Sequence, residues 1–212
     1  MKGFLQMIKQ ILFDCGGVFV DIQFFQLMEK LTGDSAKAAL FMDRLFDANG
    51  PWRLYDQGLL DQQEILHALE KWIPEIQPEV LASFITEWHR WLPTFPEMEH
   101  LIDDLHQAGL KCYLLSNFSK QFEEFEPLCP AIRHLDGKLI SYRIHLIKPS
   151  REIFDYAASF FKIAPAETLF IDDTEPNITA ARAAGFHAYH FQNAADLRAE
   201  LRARGLLPQQ NT

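Results

Sequence analysis

Ile11-Leu12-Phe13-Asp14-Cys15-Gly16-Gly17-Val18 is a short apolar run that closes on an aspartate and a pair of glycines. Three further runs have the same form: Leu110 to Leu115, closing at Ser116; Leu169-Phe170-Ile171, closing at Asp172-Asp173; and Phe186 to Phe191. Brief apolar runs bounded by polar or turn residues suit strands buried on both faces, and so a parallel sheet. Helical spacing fills the intervals between the later runs. Met98, Leu101, Ile102 and Leu105 form one stripe, with Gly109 placed as a C-terminal cap. Pro149 is expected to open a second helix, with Phe154, Ala158 and Phe161 on one face; Ile178 to Ala184 forms a third, stopped by Gly185. Strands alternating with such helices indicate a doubly wound α/β fold, a Rossmann-like three-layer core.

One interval is out of scale. About 100 positions separate Asp14 from Ser116, whereas a strand–helix–strand unit takes about 30. The excess, residues 21–93, has a helical pattern. Asp61 and Glu64 have the spacing of a capping box, and Val80, Leu81, Phe84, Ile85, Trp88 and Leu92 form an apolar stripe. The expected organisation is a core from 1–20 and 94–212 carrying an inserted α-helical cap over 21–93.

Composition narrows the function. With 48% hydrophobic and 23% charged residues in 212, the chain has the balance of a globular protein and enough length to bury a core unaided. Its 20 basic residues against 29 acidic ones give a net charge of −9, which lacks the basic footprint of non-specific nucleic-acid or anionic-membrane binding. Cys15, Cys112 and Cys129 are odd in number and widely spaced, which argues against a disulfide framework or a structural zinc site. No run approaches a membrane span of ~20 residues, and Asp14 interrupts any signal-peptide core. The expectation is a cytoplasmic protein.

In an open α/β sheet, ligands bind beyond the carboxyl ends of the strands. Asp14, Ser116 and Asp172-Asp173 all follow their apolar runs, and Lys148 can reach the same edge. Each residue alone has a bland reading, as a turn, a helix cap or a solvated charge. As an ordered set they are carboxylates that repel one another unless a cation lies between them, and hard oxygen donors point to Mg²⁺. A metal, a lysine and a hydroxyl together can hold a phosphoryl group for attack by the nearest carboxylate.

With those residues in place, the sequence resembles the haloacid dehalogenase-like superfamily along nearly its whole length. Residues 11–21 look like the first motif, which implies Asp14 as phosphoryl-accepting nucleophile. Leu114-Leu115-Ser116-Asn117 looks like the second, with Ser116 and Asn117 at the phosphate, and Lys148-Pro149 like the third, with Lys148 steadying nucleophile and phosphate. Residues 170–178 look like the fourth, with Asp173 a metal ligand and Asp172 and Asn177 in support. The resemblance implies Mg²⁺ held by Asp14, Asp173 and the carbonyl of Gly16. It also implies a small phosphorylated metabolite as substrate.

One departure stands out. Phosphatases of the family usually carry a second Asp two positions after the nucleophile as general acid and base, and this chain has Gly16 there. Loss of such a group costs roughly 10²–10⁴ in rate. Metal-free dehalogenase members look like Asp-x-Tyr-Gly-Thr at this motif, which is absent. Phosphonoacetaldehyde hydrolase needs a cap lysine, for which Lys30, Lys37 and Lys71 have no recognisable context.

The closer resemblance is to members like bacterial α-D-glucose-1-phosphate phosphatase. An anomeric oxygen leaves as a weakly basic alkoxide, which suits a site without that acid. The rival reading is a catalytically impaired fold that binds a phosphorylated ligand or a protein partner. A two-component receiver is set aside because its acidic pair comes early in the chain, and here the pair follows Lys148. In the cap, Trp52 and Arg53 are candidate leaving-group contacts, although Trp52 and Tyr55 also suit helix packing. Trp88 suits packing, with His89 or Arg90 facing the cleft. His187 and His190 point to opposite faces of a strand, and Cys15 points into the core.

Overall fold

In the computed structural model, which describes residues 7–209, five parallel strands lie in the order β3-β2-β1-β4-β5. They are β1 (Gln10–Phe13), β2 (Lys111–Ser116), β3 (Gly137–Ile140), β4 (Thr168–Asp172) and β5 (His187–His190). Period-two alternation splits the sheet between two cores. Ile11, Phe13, Cys112, Leu114, Leu169 and Ile171 face one side, while Leu12, Leu115, Leu139 and Phe170 face the other.

Helices α1 (Phe24–Thr32), α2 (Ser35–Leu45), α3 (Trp52–Asp56), α4 (Gln62–Trp72) and α5 (Pro78–Glu87) follow β1 and form the helical cap. The core then adds α6 (Pro96–Gln107), α7 (Phe122–Phe125), α8 (Pro130–Arg133), α9 (Ser141–Ile144), α10 (Arg151–Phe161), α11 (Glu175–Ala183) and α12 (Ala194–Ala203). The stripe Met98, Leu101, Ile102 and Leu105 of α6 packs with Leu197 and Leu201 of α12 on one face of the sheet. Ile153, Phe154 and Ala157 of α10 pack with Ile178 and Ala181 of α11 on the other.

Several local expectations are corrected. β3 carries no apolar run, because an edge strand buries only Leu139 and Ile140 and exposes part of Gly137 and Lys138. β5 is the opposite edge and is half-exposed along most of its length, so it is not buried on both faces. Helix α10 begins at Arg151, two residues beyond Pro149, and Ala158 and Phe161 are only half-buried. Helix α11 begins at Glu175, three residues before Ile178, because Pro176 fits its first turn, where no backbone N–H is needed.

The cap core is aromatic. Phe24 packs edge-to-face on Phe84 and on Trp88, each at 5.3 Å between centroids, and Trp52 packs on Trp88 at the same distance. The capping box of α4 is formed: Asp61 Oδ1 accepts from the backbone N–H groups of Gln63 and Glu64, and Glu64 Oε2 accepts from that of Asp61. The insertion leaves and re-enters the core at one place. The N–H of Asp21 donates to Pro93 O, and that of Phe95 donates to Phe19 O. A cavity therefore opens between cap and sheet, at the carboxyl edge where the chemistry-bearing residues emerge.

Candidate active site

Register places three of the expected residues on one rim. Phe13 pairs with Leu114 on one side and Ile171 on the other, so Asp14, Ser116 and Asp172 end neighbouring strands at nearly one level. The Asp14 N–H donates to Ile171 O at 2.8 Å, which continues the ladder one residue beyond β1. Its carboxylate then accepts from the N–H of Cys15 at 2.6 Å.

Lys148 ties the rim together. Its Nζ lies 2.7 Å from Asp14 Oδ1 and 2.8 Å from Asp172 Oδ2, and it is fully buried. Asn117 places it: Asn117 Oδ1 accepts from the Lys148 N–H at 2.8 Å, and Asn117 Nδ2 donates to Lys148 O at 3.0 Å. Asp172 is the more deeply buried carboxylate of the pair and the one with more protein donors. It accepts from the Thr174 N–H and Oγ1, at 2.8 and 2.7 Å, and from Asn177 Nδ2 at 2.9 Å.

The two carboxylates sharing the ammonium therefore behave differently. Burial disfavours charge on both. At Asp172 the Lys148 ion pair and the Thr174 donors outweigh burial and hold the carboxyl below the usual range. At Asp14 burial wins over Lys148, and the charges of Asp172 and Asp173 add to it, so the carboxyl is pushed well up. Burial and the neighbouring Asp172 raise Asp173 too. Burial opposes the Lys148 charge, but the flanking carboxylates more than offset it and raise its ammonium above the ordinary value.

Oxygens of Asp14, Asp172 and Asp173 lie within 4.8 Å of one another. Three carboxylates against one ammonium leave a charge deficit that a divalent cation with a preference for oxygen donors would fill. Gly16 lines the same cavity. The donor set fits Mg²⁺.

The cavity has a volume of 650 Å³. Asp14, Gly16, Asn117, Lys148, Asp173 and Asn177 line its floor, and Trp52 and Arg53 line its cap side. Ser116, only 1% exposed, lies behind that floor with Asp172. The nearest hydrogen-bond acceptor of Ser116 Oγ is Asn117 O at 3.5 Å, the limit of such a bond.

Trp52 both packs the cap core and faces the cavity, whereas Tyr55 turns away and donates its hydroxyl to Gln121 Oε1 at 2.7 Å. The expectation that His89 or Arg90 faces the cleft is corrected. His89 is buried beside Gln121, Arg90 projects toward Glu124, and Trp88 takes the cavity wall, because a 3₁₀ turn over Trp88–Arg90 rotates them away. Lys30, Lys37 and Lys71 do not line the cavity. Cys15 is buried, which pushes its thiol well up and leaves it without thiolate character.

Sequence reasoning missed three residues. Thr174 gives Asp172 two donors, and its signal was the helix-capping position before Pro176. His190 Nε2 lies 2.8 Å from Asp173 O and buttresses that backbone; its place at the end of β5 was the available clue. Asp56, at the end of α3, lines the cavity from above, and nothing in its neighbourhood in sequence marked it.

Known proteins share both the sequence pattern and this architecture. The family model for haloacid dehalogenase-like hydrolases matches residues 8–185. The D-ribitol-5-phosphate phosphatase of Bacteroides thetaiotaomicron is 31% identical, over 92% of this chain and 97% of that protein. A predicted HAD-like family hydrolase from Porphyromonas gingivalis superposes with a TM-score of 0.71 at 22% identity, covering 92% of this chain and 98% of the other. A HAD family enzyme of Bacteroides thetaiotaomicron, solved with magnesium and inorganic phosphate, superposes with a TM-score of 0.69 at 21% identity, covering 90% and 98%. The match spans strands β1 to β4 and every residue of the Asp14–Lys148–Asp172 cluster, and on that ground the chain belongs to the haloacid dehalogenase-like hydrolases.

Proposed function

We propose that the protein is a Mg²⁺-dependent phosphatase acting on a small phosphorylated metabolite through an aspartyl-phosphate intermediate. The observation that carries this reading is Lys148, buried and bridging Asp14 to Asp172 at the floor of a cavity with Asp173 alongside. The core is taken as 1–20 and 94–212 and the cap as 21–93, the points where the Asp21–Pro93 and Phe95–Phe19 hydrogen bonds pair the two connections.

In this reading Asp14 attacks phosphorus in line and the alcohol leaves; water then hydrolyses the acyl phosphate. Lys148 holds Asp14 in position and neutralises charge on the phosphoryl oxygens, with the Ser116–Asn117 segment beside it. Asp14, Asp173 and the Gly16 carbonyl would hold the metal, while Lys148, Thr174 and Asn177 fix Asp172 as their support. Bound Mg²⁺ would lower the Asp14 carboxyl into its ionised form and offset phosphate charge. Trp52 and Arg53 face the leaving group, and the cap excludes bulk water.

The finer choice of substrate is a sugar 1-phosphate, whose anomeric oxygen leaves with little help at a site with Gly16. The ribitol-5-phosphate phosphatase relative makes a polyol phosphate the comparison to run beside it. Gly16 also favours a second reading, a catalytically impaired binder of a phosphorylated ligand. Among the described residues no helix is long and apolar enough to cross a membrane, and a cytoplasmic location is part of the proposal.

The test is Mg²⁺-dependent phosphate release from sugar 1-phosphates, sugar 6-phosphates and ribitol 5-phosphate, with Asp14→Asn as the blank. Release that requires both metal and Asp14 is expected. Folded, Mg²⁺-binding protein that releases nothing moves the assignment to the binding protein, and equal rates on 1- and 6-phosphates remove the leaving-group argument.

A further inference from the structure

Gly16 leaves the proposed phosphatase without the carboxyl that protonates a departing alkoxide, so the remaining acids on the cavity are the place to look for a replacement. Apart from Asp14 and Asp173 on the floor, Asp47 and Asp56 are the carboxylic acids that line it. Asp47 is committed to its own turn, where Oδ1 accepts from the Asn49 N–H at 2.8 Å.

Asp56 is placed differently. It ends α3 and lines the cavity, and the Trp52 indole and the Ser119 backbone, three residues beyond Ser116, are polar groups close enough to oppose the effect of burial on its carboxyl. Its own carbonyl accepts from Ser141 Oγ, at the start of α9 in the core. The next residue, Gln57, offers its carbonyl to His145 Nδ1 at 2.8 Å. This end of the cap is thus pinned to the core through its backbone, and Asp56 is a cap carboxyl on the wall of the cavity that Asp14 floors.

Resting on the phosphatase reading, we infer that Asp56 is the proton-transfer residue of this enzyme, taking from the cap side the role that position 16 lacks. In the first step an Asp14 oxygen forms a bond to phosphorus while the bond from phosphorus to the leaving oxygen breaks. The electron pair goes to that oxygen, and the Asp56 proton follows it. In the second step the Asp56 carboxylate takes a proton from water as the water oxygen bonds to phosphorus and the Asp14–phosphorus bond breaks. Phosphate leaves, and both carboxyl groups return to their starting states.

The environment suits the first step. Burial pushes the Asp56 carboxyl up to about 8, against the opposing polar groups of Trp52 and Ser119, so it carries a proton at neutral pH. With that proton supplied from the cap, the leaving-group argument for a 1-phosphate no longer applies, although the phosphatase reading stands, and alkyl phosphates come within reach.

The test compares kcat/KM, which reports events up to the loss of the alcohol, for ribitol 5-phosphate and 4-nitrophenyl phosphate. An alkoxide needs a proton to leave and 4-nitrophenolate does not. Asp56→Asn is expected to lower the alkyl value by roughly 10²-fold or more, and at least tenfold more than the aryl value. Equal losses on both substrates, or no loss, overturn the proposal and leave Asp56 a cap–core latch. Wild-type protein supplies a reading that needs no variant: kcat/KM across aryl and alkyl phosphates should depend weakly on leaving-group basicity, and a steep dependence also overturns it. Release absent in the wild type, or surviving Asp14→Asn, overturns the phosphatase reading itself and this assignment with it.

Discussion

Gly17 and Asp173 are in such close contact that a methyl group on the glycine would sit 2.2 Å from a carboxylate oxygen of the aspartate. Gly17 also has φ +67, in the left-handed region, so two independent constraints select glycine there. Gly17→Ala is expected to displace Asp173 and to weaken Mg²⁺ binding by roughly 10–100-fold, the scale of supporting residues around a metal. Calorimetric titration of Mg²⁺ into the folded variant checks this, and unchanged affinity would remove Asp173 from the ligand set.

Lys148 is the only counter-ion within reach of both Asp14 and Asp172 among the described contacts. Lys148→Met leaves two buried carboxylates facing each other, and breaking a buried pair costs about 3–5 kcal/mol. Urea unfolding of metal-free protein at neutral pH should show that loss. A midpoint unchanged from wild type would mean that the pair contributes nothing net.

Asp56 ties stability to pH. Its carboxyl holds a proton more tightly in the folded chain than in the unfolded one, so folding loses stability as pH rises from the ordinary value of 3.8 toward about 8. Asp56→Asn removes that loss. The stability difference between variant and wild type should therefore grow in the variant's favour from pH 5 to pH 8, by a few kcal/mol at most. Denaturant titrations at both pH values read it, and a constant difference would place Asp56 in its ionised form throughout.

Gln121 reaches from the core into the cap with every polar atom engaged. Its Oε1 accepts from Tyr55 OH and Trp88 Nε1, and its Nε2 donates to Ile85 O at 2.7 Å and faces His89 Nδ1 at 3.2 Å. Gln121→Ala orphans the Tyr55 hydroxyl and the Trp88 indole, and each unsatisfied buried group costs about 1–3 kcal/mol. A fall in thermal midpoint of several degrees is expected, whereas Gln121→Glu, which keeps the acceptor, should lose less.

Much of this protein was legible in its order of residues, for a local reason. Buried strands of a parallel sheet must be short and apolar, so β1, β2 and β4 announce themselves, and the polar residue that ends each one marks the rim. The capping box of Asp61 and Glu64 and the stripe of α6 are equally local, since both depend on spacing within one or two helical turns. Edge strand β3 escaped because half of it faces solvent, and nothing in Gly137-Lys138 demands burial.

Tertiary structure decided what depends on two distant segments meeting. That Lys148 spans Asp14 and Asp172, rather than pairing with one of them, follows from strand register and from the Asn117 clamp on its backbone. That Ser116 lies behind the cavity floor, that His89 turns inward, and that Asp56 faces the cavity all depend on how the cap sits on the core. A charge in sequence has only its neighbours for context. Its pKa and its reach are set by burial and by partners many residues away, and those exist only once the chain has folded.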